Sequence, residues 1–191
     1  WEKMAKIFGY GAISGIDLYG ENAGNIPNIQ YMKKKYGKFG WSKGNLLTFV
    51  IGQGDILVTP LQVLQMMNLI ASKGNTYSPS LTLNSFPNKI DLSLKESTWD
   101  FLQDAIWNVV NHEKGTGKLA KIKVVDVYGK TGTAQNPHGE DHSWFAGYMK
   151  FNKGSIISLS VLVEHGGKGS VAGTRIAKEI FDFYRRNELI Q

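Results

Sequence analysis

The sequence contains no cysteine. That excludes disulfides and thiolate-bound metals from any account of its stability or chemistry. It suits an exported protein without requiring export. No window approaches the ~18 uninterrupted apolar residues of a membrane-spanning helix, and no basic-plus-apolar leader opens the chain. An anchor or export signal is expected outside these residues. Internal repeats and low-complexity linkers are also lacking, so residues 1–191 are read as one unit. At 191 residues, 42% hydrophobic and 20% charged, the chain is long enough to bury a real core.

The net charge is +6, from 22 Lys+Arg and 16 Asp+Glu, which permits anionic partners without pointing to one. The densest run, Lys33-Lys34-Lys35, sits in a Tyr/Gly/Trp-rich stretch and reads as a solvated loop face. No nucleic-acid partner is expected. His138-Gly139-Glu140-Asp141-His142 packs candidate metal ligands together, but a glycine-bearing loop between strands does not fix ligands in place. It reads as a polar hairpin tip, with no metal and no cofactor expected.

Trp1 to Phe8 reads as the middle of an amphipathic helix, with Trp1, Met4, Ala5 and Phe8 on one side. A chain that opens inside a helix is expected to be part of a longer one. A long connection rich in Gly, Asn, Tyr and Lys follows, from Gly9 to about Gly44. Such a length is usually functional or packed on something large. The strongest helix start is Thr59-Pro60-Leu61-Gln62, a Thr-x-x-Gln capping box with proline at the first helical position. That helix is expected to run to Lys73, buried around most of its circumference, with Gly74 ending it. After a connector with extended pieces, a second helix is expected from about Lys95 to His112, capped by Ser93 or Ser97, with Trp99, Leu102, Ile106, Val109 and Val110 buried. Three strands are expected at about 123–134, 144–151 and 155–164, the last two joined by a turn at Asn152-Lys153-Gly154. A final helix is expected from about Val171 to Asn187. The last strand carries apolar residues on both faces, which predicts a sheet covered by helices on each side. The fold class is therefore α+β, an antiparallel sheet flanked by helices.

Gly129-Lys130-Thr131 invites a phosphate-loop reading, but the glycine needed five positions earlier is Val124. That leaves Lys130, Gly132 and the threonines on a strand. Alternation puts Lys130 and Gly132 on one face, Thr131 and Thr133 on the other. Glycine permits close approach of an extended ligand, lysine supplies positive charge, and the threonines can donate to a carboxylate. The main-chain N–H of Thr133 can face a developing oxyanion. Such an edge suits an extended peptide with a C-terminal carboxylate.

Lys130-Thr131-Gly132-Thr133 resembles the third motif of the penicillin-binding protein and serine β-lactamase superfamily. Around it, Phe8-Gly9-Tyr10-Gly11, Gly15-Ile16-Asp17-Leu18, Ile51-Gly52-Gln53-Gly54, Thr59-Pro60-Leu61-Gln62, Gly115-Thr116-Gly117, Trp144-Phe145-Ala146-Gly147-Tyr148 and Glu164-His165-Gly166-Gly167 follow the order of class B penicillin-binding proteins. The segment from Phe8 to Pro27, with Glu21 and Gly24, and Ile51 to Gly54 look most like the elongation-type branch, although Tyr19 stands where a proline is common and Asn22 and Ala23 vary.

The resemblance implies a penicillin-binding protein fold and a serine-type peptidoglycan D,D-transpeptidase. Its substrate would be a stem peptide ending in D-Ala-D-Ala, and β-lactams its inhibitors. It further implies a glycan polymerase and elongation-complex proteins as partners. The implied location is the periplasmic face of the inner membrane in a bacterial envelope. By matching positions, Lys130 and Thr133 would be catalytic, with Thr131, Gly132 and Thr133 binding substrate. No cofactor is implied.

The family's Ser-x-x-Lys and Ser-x-Asn motifs do not occur: Ser14 is followed by Asp17, Ser42 by Asn45 and Ser93 by Glu96 at the lysine position. In the family both motifs lie upstream of a segment like Trp1–Phe8. The chain thus resembles the C-terminal part of a transpeptidase domain, incomplete on its N-terminal side and inactive alone, with an exposed half-sheet prone to self-association. Two alternatives stand beside this reading: a β-lactamase or β-lactam sensor, and a catalytically silent peptide-binding or scaffolding module of a cell-wall complex.

Overall fold

A computed structural model describes residues 1–38, 40–151 and 154–187. Among them run α1 (Glu2–Ile7), α2 (Ile29–Tyr36), α3 (Lys43–Val50), α4 (Pro60–Ala71), β1 (Asn75–Tyr77), β2 (Lys89–Asp91), α5 (Glu96–Asn111), β3 (Val127–Ala134), β4 (His142–Lys150), β5 (Ile156–Val163) and α6 (Ala172–Arg186). The last three strands form an antiparallel sheet in the order β3-β4-β5. β1 and β2 make a separate antiparallel ribbon.

The sheet is covered on both faces, as its two-faced apolar pattern predicts. On one face Val127, Phe145, Met149 and Leu159 pack with Ala177 and Phe181 of α6. On the other, Ala146 and Tyr148 pack with Met67 and Ile70 of α4 and with Trp99 and Ile106 of α5. Phe145, Phe181 and Trp99 are almost wholly withdrawn from solvent, and each such side chain contributes about 1.5–3 kcal/mol by leaving water. The α+β class and the flanked antiparallel sheet stand as expected.

The capping box at α4 closes on both sides. Gln62 N–H donates to Thr59 Oγ1 at 3.2 Å, and Thr59 N–H donates to Gln62 Oε1 at 3.0 Å. Lys73 (φ 53) and Gly74 (φ 89) then turn the chain out of the helix. The same Gln62, 1% exposed, donates through Nε2 to Ala12 O and Ala23 O, so the start of α4 also anchors the loop before it.

Several local expectations are corrected. The connection from Gly9 to Gly44 holds α2 and the start of α3. Each begins on a side-chain cap, Asn28 for α2 and a Ser42–Asn45 box for α3. Lys33, Lys34 and Lys35 are thus the last turn of a helix, where cations meet its negative end. α5 starts after Lys95 with no side-chain cap, so neither Ser93 nor Ser97 caps it. β3 begins at Val127, because Ile122 and Val125 first close a local bridge. β4 begins two residues early, placing His142 in the strand instead of the hairpin tip. Of the turn read at Asn152-Lys153-Gly154, only Gly154 lies within the described residues; it has φ 81.

One loop clamp makes a pH prediction. The Asp17 carboxylate accepts from Leu81 N–H at 2.6 Å, Thr82 N–H at 3.0 Å and the Thr82 hydroxyl at 2.7 Å. These bonds, the Thr82 hydroxyl first, hold its carboxyl below the usual range. A depressed carboxylate stabilises the fold above the unfolded-state pKa, and the benefit disappears as pH falls through the folded value. Protection of the Leu81 and Thr82 amides from hydrogen exchange should therefore be constant at neutral pH and fall below about pH 4. Unchanged protection factors down to about pH 2 would show that the clamp does not hold this loop.

Candidate active site

The site is built on the outer edge of β3. Asp126 O accepts from Lys150 N–H, and β3 then pairs residue by residue with β4, Tyr128 opposite Tyr148 and Lys130 opposite Ala146. In an antiparallel ladder residues alternate between bonding the partner and facing away from it. Even-numbered residues of β3 therefore bond β4, and the main-chain groups of the odd-numbered ones face outward.

Several of the outward groups are met by side chains. Val127 O accepts from Asn111 Nδ2 of α5 at 2.9 Å. Thr131 O accepts from Lys130 Nζ at 2.6 Å. Thr133 O accepts from Gln53 Nε2 at 2.8 Å, and Gln135 N–H donates to Gln53 Oε1 at 3.3 Å. Among the described residues no strand pairs with this edge.

A groove of about 600 Å³ runs beside the edge. Lys130, Gly132, Thr133 and Trp144 line its sheet side, and Leu57, Val58 and Met66 line the side made by the α3–α4 connection and α4. Tyr10 reaches its floor and donates to Met66 Sδ at 3.1 Å. Burial pushes the Tyr10 phenol up to about 12, so it is neutral at physiological pH.

The two threonines lie on the α6 side of the strand, as alternation predicts. The hydroxyls of Thr131 and Thr116 are 2.8 Å apart and share a hydrogen bond. Thr131 is 8% exposed but still contributes to the groove lining. Thr133 is exposed, and its Oγ1 accepts from Gly169 N–H at 3.0 Å. Because that oxygen accepts, its own hydrogen remains free to donate. Lys130 is exposed, and among the described residues its ammonium bonds only a neighbouring carbonyl, so it can move to an arriving ligand.

The opposite end of β3 is closed and aromatic. Tyr128 and Tyr148 stack at 4.7 Å between ring centroids, and Lys150 Nζ lies 4.8 Å from the Tyr128 ring. Burial, and then the charge of Lys73, push the Lys150 ammonium down from its ordinary pKa. His142, at the start of β4, meets His165, just past the end of β5: their rings pack edge to face at 5.1 Å, and His165 N–H donates to His142 Nδ1 at 3.0 Å.

The structure thus brings Lys130, Gly132 and Thr133 to one groove, with Thr131 at its rim. Gln53, Thr116 and Gly169 bond these strand residues without lining the groove, three residues to which the sequence assigns no individual role. Each touches β3 from a segment outside the strand, Gln53 from 80 residues away. The available signal is that Gln53 and Thr116 stand inside Ile51-Gly52-Gln53-Gly54 and Gly115-Thr116-Gly117, and glycine pairs around a polar residue often mark a close approach.

Residues 1–182 match the family described as the penicillin binding protein transpeptidase domain. The Haemophilus influenzae peptidoglycan D,D-transpeptidase MrdA is 30% identical over 213 residues, 97% of this chain and 32% of the relative. The solved Helicobacter pylori penicillin-binding protein PBP2 superposes with a TM-score of 0.82 at 28% identity, covering 95% of this chain and 35% of that one. Its complex with MreC superposes with a TM-score of 0.80 at 27% identity, again covering 95% and 35%. The chain spans about a third of the length of these relatives. With a match over nearly its whole length and a fold that agrees, this chain belongs to the penicillin-binding protein transpeptidase domain family.

Proposed function

We propose that this chain is the C-terminal part of the transpeptidase domain of an elongation-type peptidoglycan D,D-transpeptidase, and that it supplies the carboxylate-binding and oxyanion-binding wall of the active site. The observation that carries this is the open edge of β3, where the outward N–H of Thr133 lies beside the Thr133 hydroxyl and Lys130. A peptide ending in D-Ala-D-Ala adds along that edge. Thr133 donates its hydroxyl hydrogen to the terminal carboxylate. With Thr116 as the donor in the bond the two hydroxyls share, Thr131 does the same from the rim. Lys130 supplies positive potential close to the reacting groups.

The reaction is acyl transfer through a serine supplied by an upstream part of the polypeptide. The serine oxygen bonds to the penultimate D-Ala carbonyl carbon, and the negative charge that develops on the carbonyl oxygen falls to the Thr133 N–H and the nucleophile's own N–H. The C–N bond breaks, and terminal D-Ala leaves carrying the serine's proton on its amine. An amine from a second stem then displaces the serine and restores its hydroxyl. β-Lactams enter the same path and halt at the acyl-enzyme.

The MrdA relative's name and the transpeptidase family description support this activity. The periplasmic face of a bacterial inner membrane and a partner like the MreC bound to Helicobacter pylori PBP2 follow from the same reading. Mass spectrometry after incubation with a β-lactam tests it. The polypeptide carrying this chain together with its upstream segment should gain one adduct per molecule, and residues 1–191 alone should gain none. A stoichiometric adduct on the isolated chain, or none on the longer polypeptide, would overturn the proposal.

A further inference from the structure

Gln53 lies outside the Lys130–Thr133 tetrad, yet it holds the open edge of β3 at two points. Its amide donates to Thr133 O and accepts from Gln135 N–H. A donor to residue i and an acceptor from residue i+2 is the pattern one residue of a parallel neighbouring strand makes. A single side chain thus replaces a strand where β3 is ending, since Ala134 is its last residue. Thr133 is next to last, the position where a strand frays unless both sides are held.

The backbone around Gln53 is fixed from behind. Gln53 N–H donates to Thr48 O at the end of α3, at 3.0 Å. Gly52 and Gly54, both at φ 77, make the sharp turns that let the side chain project. Two residues on, Asp55 O accepts from Asn25 Nδ2 at 2.7 Å, and the Asp55 carboxylate binds the Lys35 ammonium and the Tyr36 hydroxyl of α2. The Asn25–Leu57 bridge closes the loop. A long side chain on an anchored loop reaches its target with little freedom left to lose.

We infer that Gln53 is a positioning residue for the acyl-transfer step: by holding the Thr133 carbonyl and the Gln135 amide, it fixes the end of β3 so that the Thr133 N–H stays aimed at the oxyanion. This rests on the transpeptidase reading of the groove. Thr133 O has a second lone pair and can accept from a bound peptide while Gln53 remains in place. The contribution is therefore to rate: without Gln53 the inhibitor still enters the groove, but the oxyanion donor is less well directed.

The test uses the polypeptide that includes the upstream segment, with a chromogenic β-lactam whose acylation kinetics separate the pre-covalent dissociation constant from the acylation rate constant. Gln53→Ala should lower the rate constant by about 10- to 100-fold and leave the dissociation constant within about twofold. Gln53→Met keeps length and bulk but makes neither bond, so it should be as slow as Gln53→Ala. A Gln53→Met variant acylating at the parent rate would reduce Gln53 to a space-filler and overturn the inference. So would variants that lose only affinity, or lose rate only in proportion to folded protein measured by thermal melting. If Lys130→Ala is slow while both Gln53 variants match the parent, the inference fails and the groove reading stands. A parent that is not acylated at all overturns both.

Discussion

Lys130→Ala, placed in the polypeptide that carries this chain with its upstream segment, is expected to slow β-lactam acylation by about 10²- to 10³-fold. Lys130 adds little to the fold. Its side chain is exposed and bonds Thr131 O, one residue along. Removing it frees only Thr131 O, which faces the open edge where water can take the lysine's place, so folding stability should change by less than about 0.5 kcal/mol. The loss in rate comes from charge. A carboxylate and a developing oxyanion would both be placed against this strand, and in a partly desolvated groove a fixed cation acts far more strongly than in bulk water. Stopped-flow acylation together with thermal melting separates the two effects. A folded variant that acylates at the parent rate would remove Lys130 from the chemistry.

The second large effect is expected at a residue with no side chain. A Cβ on Gly169 would lie 1.9 Å from the carbonyl oxygen of Gly132 and 2.6 Å from its carbonyl carbon. Both are backbone atoms of a strand paired with β4 and cannot give way cheaply. The Gly169 segment is tied down as well. Its N–H donates to Thr133 Oγ1, its carbonyl accepts from the Thr174 hydroxyl at 2.7 Å, and the neighbouring Lys168 O accepts from Ser143 Oγ at 3.1 Å. Gly169→Ala must displace either that loop or β3. Stability should fall by about 1–3 kcal/mol from overpacking. Acylation should fall about 100-fold in the fraction still folded, since the Thr133 hydroxyl loses its internal donor and the oxyanion donor shifts. Normal acylation and an unshifted melting temperature would mean that the contact yields without consequence.

The parts of this molecule that are legible in the sequence are those whose determinants are local. Thr59-Pro60-Leu61-Gln62 specifies a helix start by itself, and both halves of the box form. Alternation along 127–134 puts Lys130 and Thr131 on opposite faces, where they are found. The short helices α2 and α3 are hard to read because the buried residues assigned within them are single, Met32 and Phe49, too few to establish a helical period. Their caps at Asn28 and Ser42 are the readable signal. At the site, Lys130 to Thr133 can be selected from a contiguous motif. Gln53 and Gly169 cannot be assigned roles that way, because their bonds to β3 span 80 and 36 residues and exist only once the sheet has formed. Gln62 shows both regimes in one residue: its capping role is local, while its hold on Ala12 O lies 50 residues away.

The outward main-chain groups of β3 carry an evolutionary consequence. Codon changes replace side chains and leave peptide groups in place, so the Thr133 N–H persists whatever residue stands there, proline excepted. Selection for altered inhibitor preference, if it must preserve the natural reaction, has little direct access to that donor. That donor is reached indirectly, through the residues that hold β3 from outside: Gln53 at its end, Thr116 behind Thr131, and Gly169 against Gly132. On the transpeptidase reading, heritable variation in inhibitor preference therefore acts on that donor only indirectly, through the supports of the strand and the side chains it carries.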